Sequence, residues 1–191
     1  MALILSIDTS TAVCSVALSE NGALVGHLEI FEHFSHAAKL TVLIEKLMAQ
    51  SQHHFNQLSA IAVSCGPGSY TGLRIGVSTA KGLCYALGIP LIAINSLKIL
   101  CAGAQQHLAI HNVSANNVLF CPMIDARRME VYTSVFDGQM NELEEVSAKI
   151  ITEGSYDNWL HQSPIYFFGD GSAKCQQTIA HPNANFLDDV F

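Results

Sequence analysis

The stretch Gly66-Pro67-Gly68-Ser69-Tyr70-Thr71-Gly72-Leu73-Arg74-Ile75-Gly76 joins two strongly patterned segments, and its reading decides the fold. Residues 59–65 before it form an apolar run suited to a buried strand. Residues 71–87 after it read as a helix that stops at Gly88, with Pro90 beyond. A glycine-rich turn between a strand and a helix presents backbone N–H groups and the positive helix end, a natural place for an anion. The spacing matches neither nucleotide fingerprint. Thr71 stands where G-x-G-x-x-G has its third glycine, and no Lys follows as a Walker A loop requires. Two readings stand side by side: a phosphate cradle using Gly66, Gly68 and Ser69, or a tight strand-to-helix turn without a ligand.

Working outward, Leu3 to Ile7 is an apolar run ending in Asp8-Thr9-Ser10, and Cys14 to Leu18 alternates up to Asn21-Gly22. With Ala23 to Ile30 following, that dipeptide predicts a hairpin. From Ser35, a good N-cap, Leu40, Leu43, Ile44, Leu47 and Met48 fall on one helix face that fades near Gln52. Beyond the glycine stretch, residues 90–95 read as a strand, and Ser96 opens a third helix reaching about His107.

The order then begins again. Val118 to Ile124 ends in Asp125-Ala126-Arg127, Val131 to Phe136 alternates up to Asp137-Gly138, and Ile165 to Phe168 runs into Gly169-Asp170-Gly171-Ser172, with a helix expected from Ala173. Asp and hairpin turn are 14 positions apart in the first half and 13 in the second. Matched landmarks in matched order predict an internal duplication, each half βββαβα with a mixed sheet flanked by helices. The boundary is expected near 112–117, giving lobes 1–112 and 113–191.

Composition narrows the function. Nine Lys and Arg against 16 Asp and Glu give a net charge of −7, which disfavours direct phosphate-driven binding of nucleic acid. Half of the residues are hydrophobic and only 13% charged, more apolar side chain than an isolated chain of this length needs, so part of it is expected against a protein partner. The six cysteines form no C-x-x-C and read as reduced, structural thiols of a cytosolic protein. The N-terminus lacks a basic signal-peptide region, and no apolar run reaches the ~18 residues of a membrane span. His33 and His36, and His53 and His54 beyond the same helix, read as solvated histidines rather than metal ligands. No G-x-S-x-G elbow and no H-E-x-x-H occurs. Asp8, Thr9 and Ser10 could bind a metal-held phosphate or form a plain Asx turn, and Asp125 with Arg127 and Arg128 could line a cleft or be a surface ion cluster.

The 71–87 helix carries two apolar stripes. One is Leu73, Val77, Ala80, Cys84 and Leu87; the other holds Gly72, Gly76 and Leu83. One stripe suits the chain's own sheet, and the small residues would let a partner helix approach. The expected partner interface is Gly72, Leu73, Gly76, Ala80 and Leu83, with Leu43 and Leu47 of the preceding helix, so that Gly76→Glu or Leu83→Glu should abolish association.

IDTST at 7–11, GPGSYTGLRIG at 66–76, STAKGL at 78–83 and IDARRMEVY at 124–132 resemble the bacterial TsaB (YeaZ) family of the actin-like ATPase superfamily, over essentially the whole chain. The resemblance implies a duplicated actin-like, ribonuclease H-like α/β fold. It also implies a non-catalytic dimerisation or scaffold subunit that partners the catalytic TsaD and the ATPase TsaE in N6-threonylcarbamoylation of adenosine 37 of tRNA. Pairing with a second copy, a cytoplasmic location and only indirect contact with tRNA follow from the same likeness. TsaD carries Asn-His-x-x-x-His as its metal motif; here Asn95-Ser96-Leu97-Lys98-Ile99-Leu100 puts Ser96 and Leu100 at the histidine positions, so no metal is expected. The remnant cleft would be Asp8, Thr9, Ser10, Gly66, Gly68, Ser69, Asp125, Gly169 and Gly171, with ATP or ADP a ligand of the complex rather than of the chain alone. A rival enzymatic reading, an ATP-dependent phosphotransferase or ATPase, would use Asp8, Gly68 and Asp125 for phosphate and Mg²⁺. A glycoprotease-type metallopeptidase would need ligands that positions 96 and 100 lack. Family members usually continue past the equivalent of Asp189-Val190-Phe191, so a shortened second lobe is expected.

Overall fold

The computed structural model describes residues 2–31, 36–114 and 117–190, which fall into two compact units dividing after Ser96. His33, Ser35 as a helix cap, and Phe191 lie outside the described residues.

In the first unit, β1 (Leu3–Asp8), β2 (Cys14–Glu20) and β3 (Ala23–Ile30) form an antiparallel meander, and β4 (Ala60–Ser64) and β5 (Leu91–Ile94) add in parallel on the other side of β1. The order is β3-β2-β1-β4-β5. Asn21 and Gly22 both have positive φ (50° and 85°), as the two-residue β2–β3 turn requires. Strand alternation sends Leu3, Leu5, Ile7, Cys14, Val16 and Leu18 to one face. There α1 (His36–Gln50) buries Leu40, Leu43, Ile44, Leu47 and Met48, and α2 (Tyr70–Leu87) buries Ala80 and Cys84. The Ser69 hydroxyl accepts the Gly72 N–H at 3.3 Å to open α2, and Gly88 closes it at φ 66°. The opposite face of this sheet carries small and polar residues such as Ser6, Ser15, Ala17 and Ser19.

The second unit repeats the order as β10-β9-β6-β7-β8, built from β6 (Leu119–Asp125), β7 (Glu130–Phe136), β8 (Glu142–Ile150), β9 (Ile165–Phe168) and β10 (Ala184–Leu187). Both faces are covered. Leu119, Cys121, Met123, Ile165 and Phe167 pack with Tyr156, Leu160, Cys175 and Ile179 on one side, while Phe120, Ile124, Phe136 and Phe168 meet α3 (Ser96–Ile110) on the other. This explains why β6 is apolar almost throughout. The expected duplicated α/β fold is therefore present, each sheet carrying a parallel fifth strand beyond the βββαβα scheme: β5, read from residues 90–95, and β10, which the sequence reading omits.

Two expectations need correction. The boundary falls at 96/97 rather than near 112, because Leu97, Cys101, Ala104 and Leu108 of α3 are buried in the second core. The helix expected from Ala173 is a single 3₁₀ turn, Ala173–Cys175. Ser172 donates its hydroxyl to the Gly169 carbonyl at 2.8 Å and makes no cap bond, and the amides of Cys175 and Gln176 bond the carbonyls three residues back, of Ser172 and Ala173, as in a 3₁₀ turn. The short α4 (Asp157–Leu160) is the only other helix among the described residues of this unit after α3.

Candidate functional site

At the end of β1, Asp8 accepts the Ser10 N–H (2.8 Å) and hydroxyl (2.7 Å) through one carboxylate oxygen, an Asx turn that fixes the strand end. Thr9 is fully buried; its N–H reaches the Ser64 hydroxyl and its own hydroxyl donates to the Gly72 carbonyl at 2.8 Å. The glycine loop then closes over this turn. Ser69 N–H donates to the Ser10 carbonyl at 2.7 Å, and Leu73 N–H to the Ser69 carbonyl at 2.8 Å. Gly66 exchanges two bonds with Ser96: its N–H goes to the hydroxyl at 3.2 Å, and its carbonyl takes the Ser96 N–H at 2.9 Å.

The glycines have a steric reason. A Cβ at Gly68 would overlap the Ser10 carbonyl oxygen, one at Gly72 the Thr9 carbonyl oxygen, and one at Gly76 the Thr9 hydroxyl. The close approach that sequence reading assigned to a partner helix is made by the chain's own β1–β2 turn. Hence Gly72 and Gly76, and likewise Ala80, Leu43 and Leu47, are buried within the first unit and are not partner contacts. Leu73 and Leu83 are half-buried, Leu83 against the same core. What α2 does present is Tyr70, Thr71, Arg74, Ser78, Lys81, Gly82 and Tyr85, the last 92% exposed; α1 beside it presents Ala38, Val42 (55% exposed), Glu45 and Ala49. The buried line of α2, Gly72, Gly76, Ala80 and Cys84, takes members from both expected stripes, with Leu73, Val77, Leu83 and Leu87 half-buried beside it.

The second unit builds the same constellation. Asp125, ending β6, accepts the Arg127 N–H at 2.8 Å as Asp8 accepts Ser10's, and the loop 169–172 folds back on it: Gly171 N–H bonds the Met123 carbonyl at 3.0 Å, and a Cβ at Gly169 would overlap that carbonyl. Lys174 forms an ion pair with Asp125 and donates to the Glu130 carbonyl at 2.7 Å. Partial burial works to raise the Asp125 carboxyl, but the Lys174 and Arg127 hydrogen bonds and charges outweigh it and hold it below the usual carboxylate value. Asp170, accepting the Asp125 N–H at 2.9 Å, is pushed up by burial, with the neighbouring Asp125 charge adding to it.

Raised in the folded state, the Asp170 carboxyl costs stability when ionised and nothing once both states are protonated. Asp170→Asn keeps an acceptor for the Asp125 N–H and removes the charge. It is expected to raise the unfolding midpoint slightly at pH 7, with the gain vanishing as pH falls below about 4. Thermal melts of both proteins across that range measure this; a gain independent of pH would show that charge is not the cause.

Of the histidines read as solvated, His36 is instead buried at the start of α1, and His53 is half-buried. Five of the six cysteines are buried and Cys65 is exposed; burial, with the Asp8 charge adding to it, pushes the Cys14 thiol up to about 11, and burial pushes that of Cys121 up to about 12. These are inert packing thiols. Among the described residues no group of three or more His, Cys, Asp or Glu is placed to hold a metal, and no helix is long and apolar enough to cross a membrane.

Two units of one strand order, each with an Asp-ended central strand locked under a glycine loop, define a duplicated α/β protein of the actin-like kind. A family model described as TsaD, tRNA N6-adenosine threonylcarbamoyltransferase, matches residues 33–180. The tRNA threonylcarbamoyladenosine biosynthesis protein TsaB of Bacillus subtilis is 34% identical over 181 residues, covering 92% of this chain and 74% of that protein. TsaB of Haemophilus influenzae is 37% identical over 131 residues, 69% of this chain and 52% of the relative. A solved structure of YeaZ from Pseudomonas aeruginosa superposes with a TM-score of 0.80 at 27% identity, covering 97% of this chain and 84% of that one. The chain belongs to the TsaB (YeaZ) family. It spans about half the length of the Haemophilus relative and about three quarters of the Bacillus one.

Proposed function

We propose that the chain serves tRNA threonylcarbamoyladenosine biosynthesis as a non-catalytic scaffold that pairs with TsaD. The observation that carries this reading is the use made of the two positions where TsaD has metal-ligating histidines. Ser96 is buried with its hydroxyl engaged by the Gly66 N–H, and Leu100 packs against the second core. Neither supplies an imidazole: a serine hydroxyl is a poor substitute for a metal-ligating histidine and a leucine is none. The relatives from Haemophilus influenzae, Bacillus subtilis and Escherichia coli are tRNA threonylcarbamoyladenosine biosynthesis proteins, which supports the pathway.

The state of the glycine loop supports the non-catalytic half of the proposal. Amides of Gly66, Ser69, Gly72 and Leu73 are all engaged inside the unit, and Gly68 is packed against Ser10. A phosphate cradle needs those donors and that space, so the tight-turn reading fits this loop better than the nucleotide one. ATP or ADP, where it participates, would then be held by groups that the partner completes. The exposed faces of α1 and α2 provide the docking surface.

Reconstitution decides the point. With TsaD, TsaE, threonylcarbamoyl-adenylate and tRNA present, omission of the chain is expected to abolish modified adenosine, while the chain with donor and tRNA alone makes none. Product formed at the full rate without the chain, or by the chain alone, would overturn the proposal.

A further inference from the structure

At the C-terminal end of α1 a cavity of about 420 Å³ is lined by Glu45, Met48, Ala49, Gln52, His53, His54 and Phe55. Met48, Ala49 and Phe55 give its lining an apolar share, and Glu45 is the one charged carboxylate among the lining residues.

Glu45 lines it with a carboxylate that has no ion-pair partner among the described residues. The last turn of α1 contains no basic residue, so the negative end of the helix dipole is left uncompensated there. No Lys or Arg lines the cavity. His53 adds a directional element. Its Nδ1 lies 2.8 Å from the Ser51 carbonyl oxygen, which can only accept, so Nδ1 bears a proton, and in that tautomer Nε2 is the acceptor. The His53 N–H to the Met48 carbonyl, at 3.2 Å, holds the segment in place.

Glu45, His53 and His54 are not gathered as a chelate, which disfavours a compact metal ion. Dispersed acceptors beside an aromatic face suit a planar, delocalised cation that donates in several directions and stacks on the ring. We propose that this cavity is a recognition site for the guanidinium of an arginine in an extended segment of a partner protein. Glu45 carries the charge complement, His53 Nε2 accepts a second N–H, and Phe55 and Met48 pack the plane and stem. The whole chain carries −7, which favours encounter with such a basic segment.

The test uses the full chain and capped tripeptides, acetyl-Gly-Arg-Gly-amide against its citrulline and lysine counterparts, followed by NMR shifts of the Met48 methyl and the His53 and Phe55 rings. The arginine peptide is expected to shift all three. The citrulline peptide, isosteric but neutral, should bind at least tenfold more weakly, and the lysine peptide severalfold more weakly. Glu45→Gln, at an exposed position, should weaken arginine binding about tenfold while leaving the thermal midpoint unchanged. Equal binding of citrulline, equal binding of lysine, an unaltered affinity in Glu45→Gln, or shifts that miss Met48 and Phe55 would each overturn the assignment.

Discussion

Gly72→Ala is expected to destabilise the first unit by about 3 kcal/mol, a fall of roughly 12–24 °C in its thermal midpoint, whereas Gly82→Ala in the same helix should raise stability by about 0.5–1 kcal/mol. Both glycines sit in α2 and both substitutions add one methyl group. At Gly72 the methyl overlaps the Thr9 carbonyl oxygen, a backbone atom of a residue tied to Ser64 and Gly72 by its N–H and hydroxyl, so the β1–β2 turn or the helix must move. At Gly82 no atom lies within 4 Å, and only the helix propensity and the lowered entropy of the unfolded chain remain. Gly68→Ala should resemble Gly72→Ala for two reasons, overlap with the Ser10 carbonyl and a φ of 152° that disfavours a side chain. Calorimetry on the three variants checks this. A Gly72→Ala midpoint within 2 °C or so of the parent would mean that the turn is not packed on the helix as described. For the same reason Gly76→Glu cannot serve as an interface probe: the carboxylate would have to displace Thr9.

Val42→Glu and Tyr85→Glu are expected to abolish association with TsaD while the chain stays folded. Both side chains are largely exposed, so the change should alter stability by no more than about 0.5 kcal/mol. On a docking surface, burying an unpaired carboxylate in place of an apolar or aromatic contact typically costs 2–4 kcal/mol, roughly a 30- to 1000-fold loss of affinity. Tyrosine is the residue type most expected to matter there. Ile150→Glu on β8, exposed on the second unit, is the control and should associate normally. Calorimetric titration against TsaD measures all three. Parental affinity in both α1 and α2 variants would place the docking surface on another face and leave the exposed tyrosines unexplained.

The local elements were legible because each rests on short-range chemistry. Asn21-Gly22 dictates its own turn, Gly88 its own helix stop, and the 3.6-residue spacing of Leu40, Leu43, Ile44, Leu47 and Met48 its own buried face. The duplication was legible because Asp8 and Asp125, and the loops at 66 and 169, recur in one order. Tertiary structure alone decided three things. It placed α3 on the second sheet, since periodicity tells which residues are buried but not by what. It reduced the segment after Ser172 to a 3₁₀ turn, since a serine before an apolar stretch caps a helix only where the fold aims its side-chain oxygen at the following amides, which here it does not. It turned Gly72 and Gly76 inward to Thr9, because an absent side chain licenses close approach without naming the neighbour, and only the packed chain shows whether that neighbour is a partner or itself.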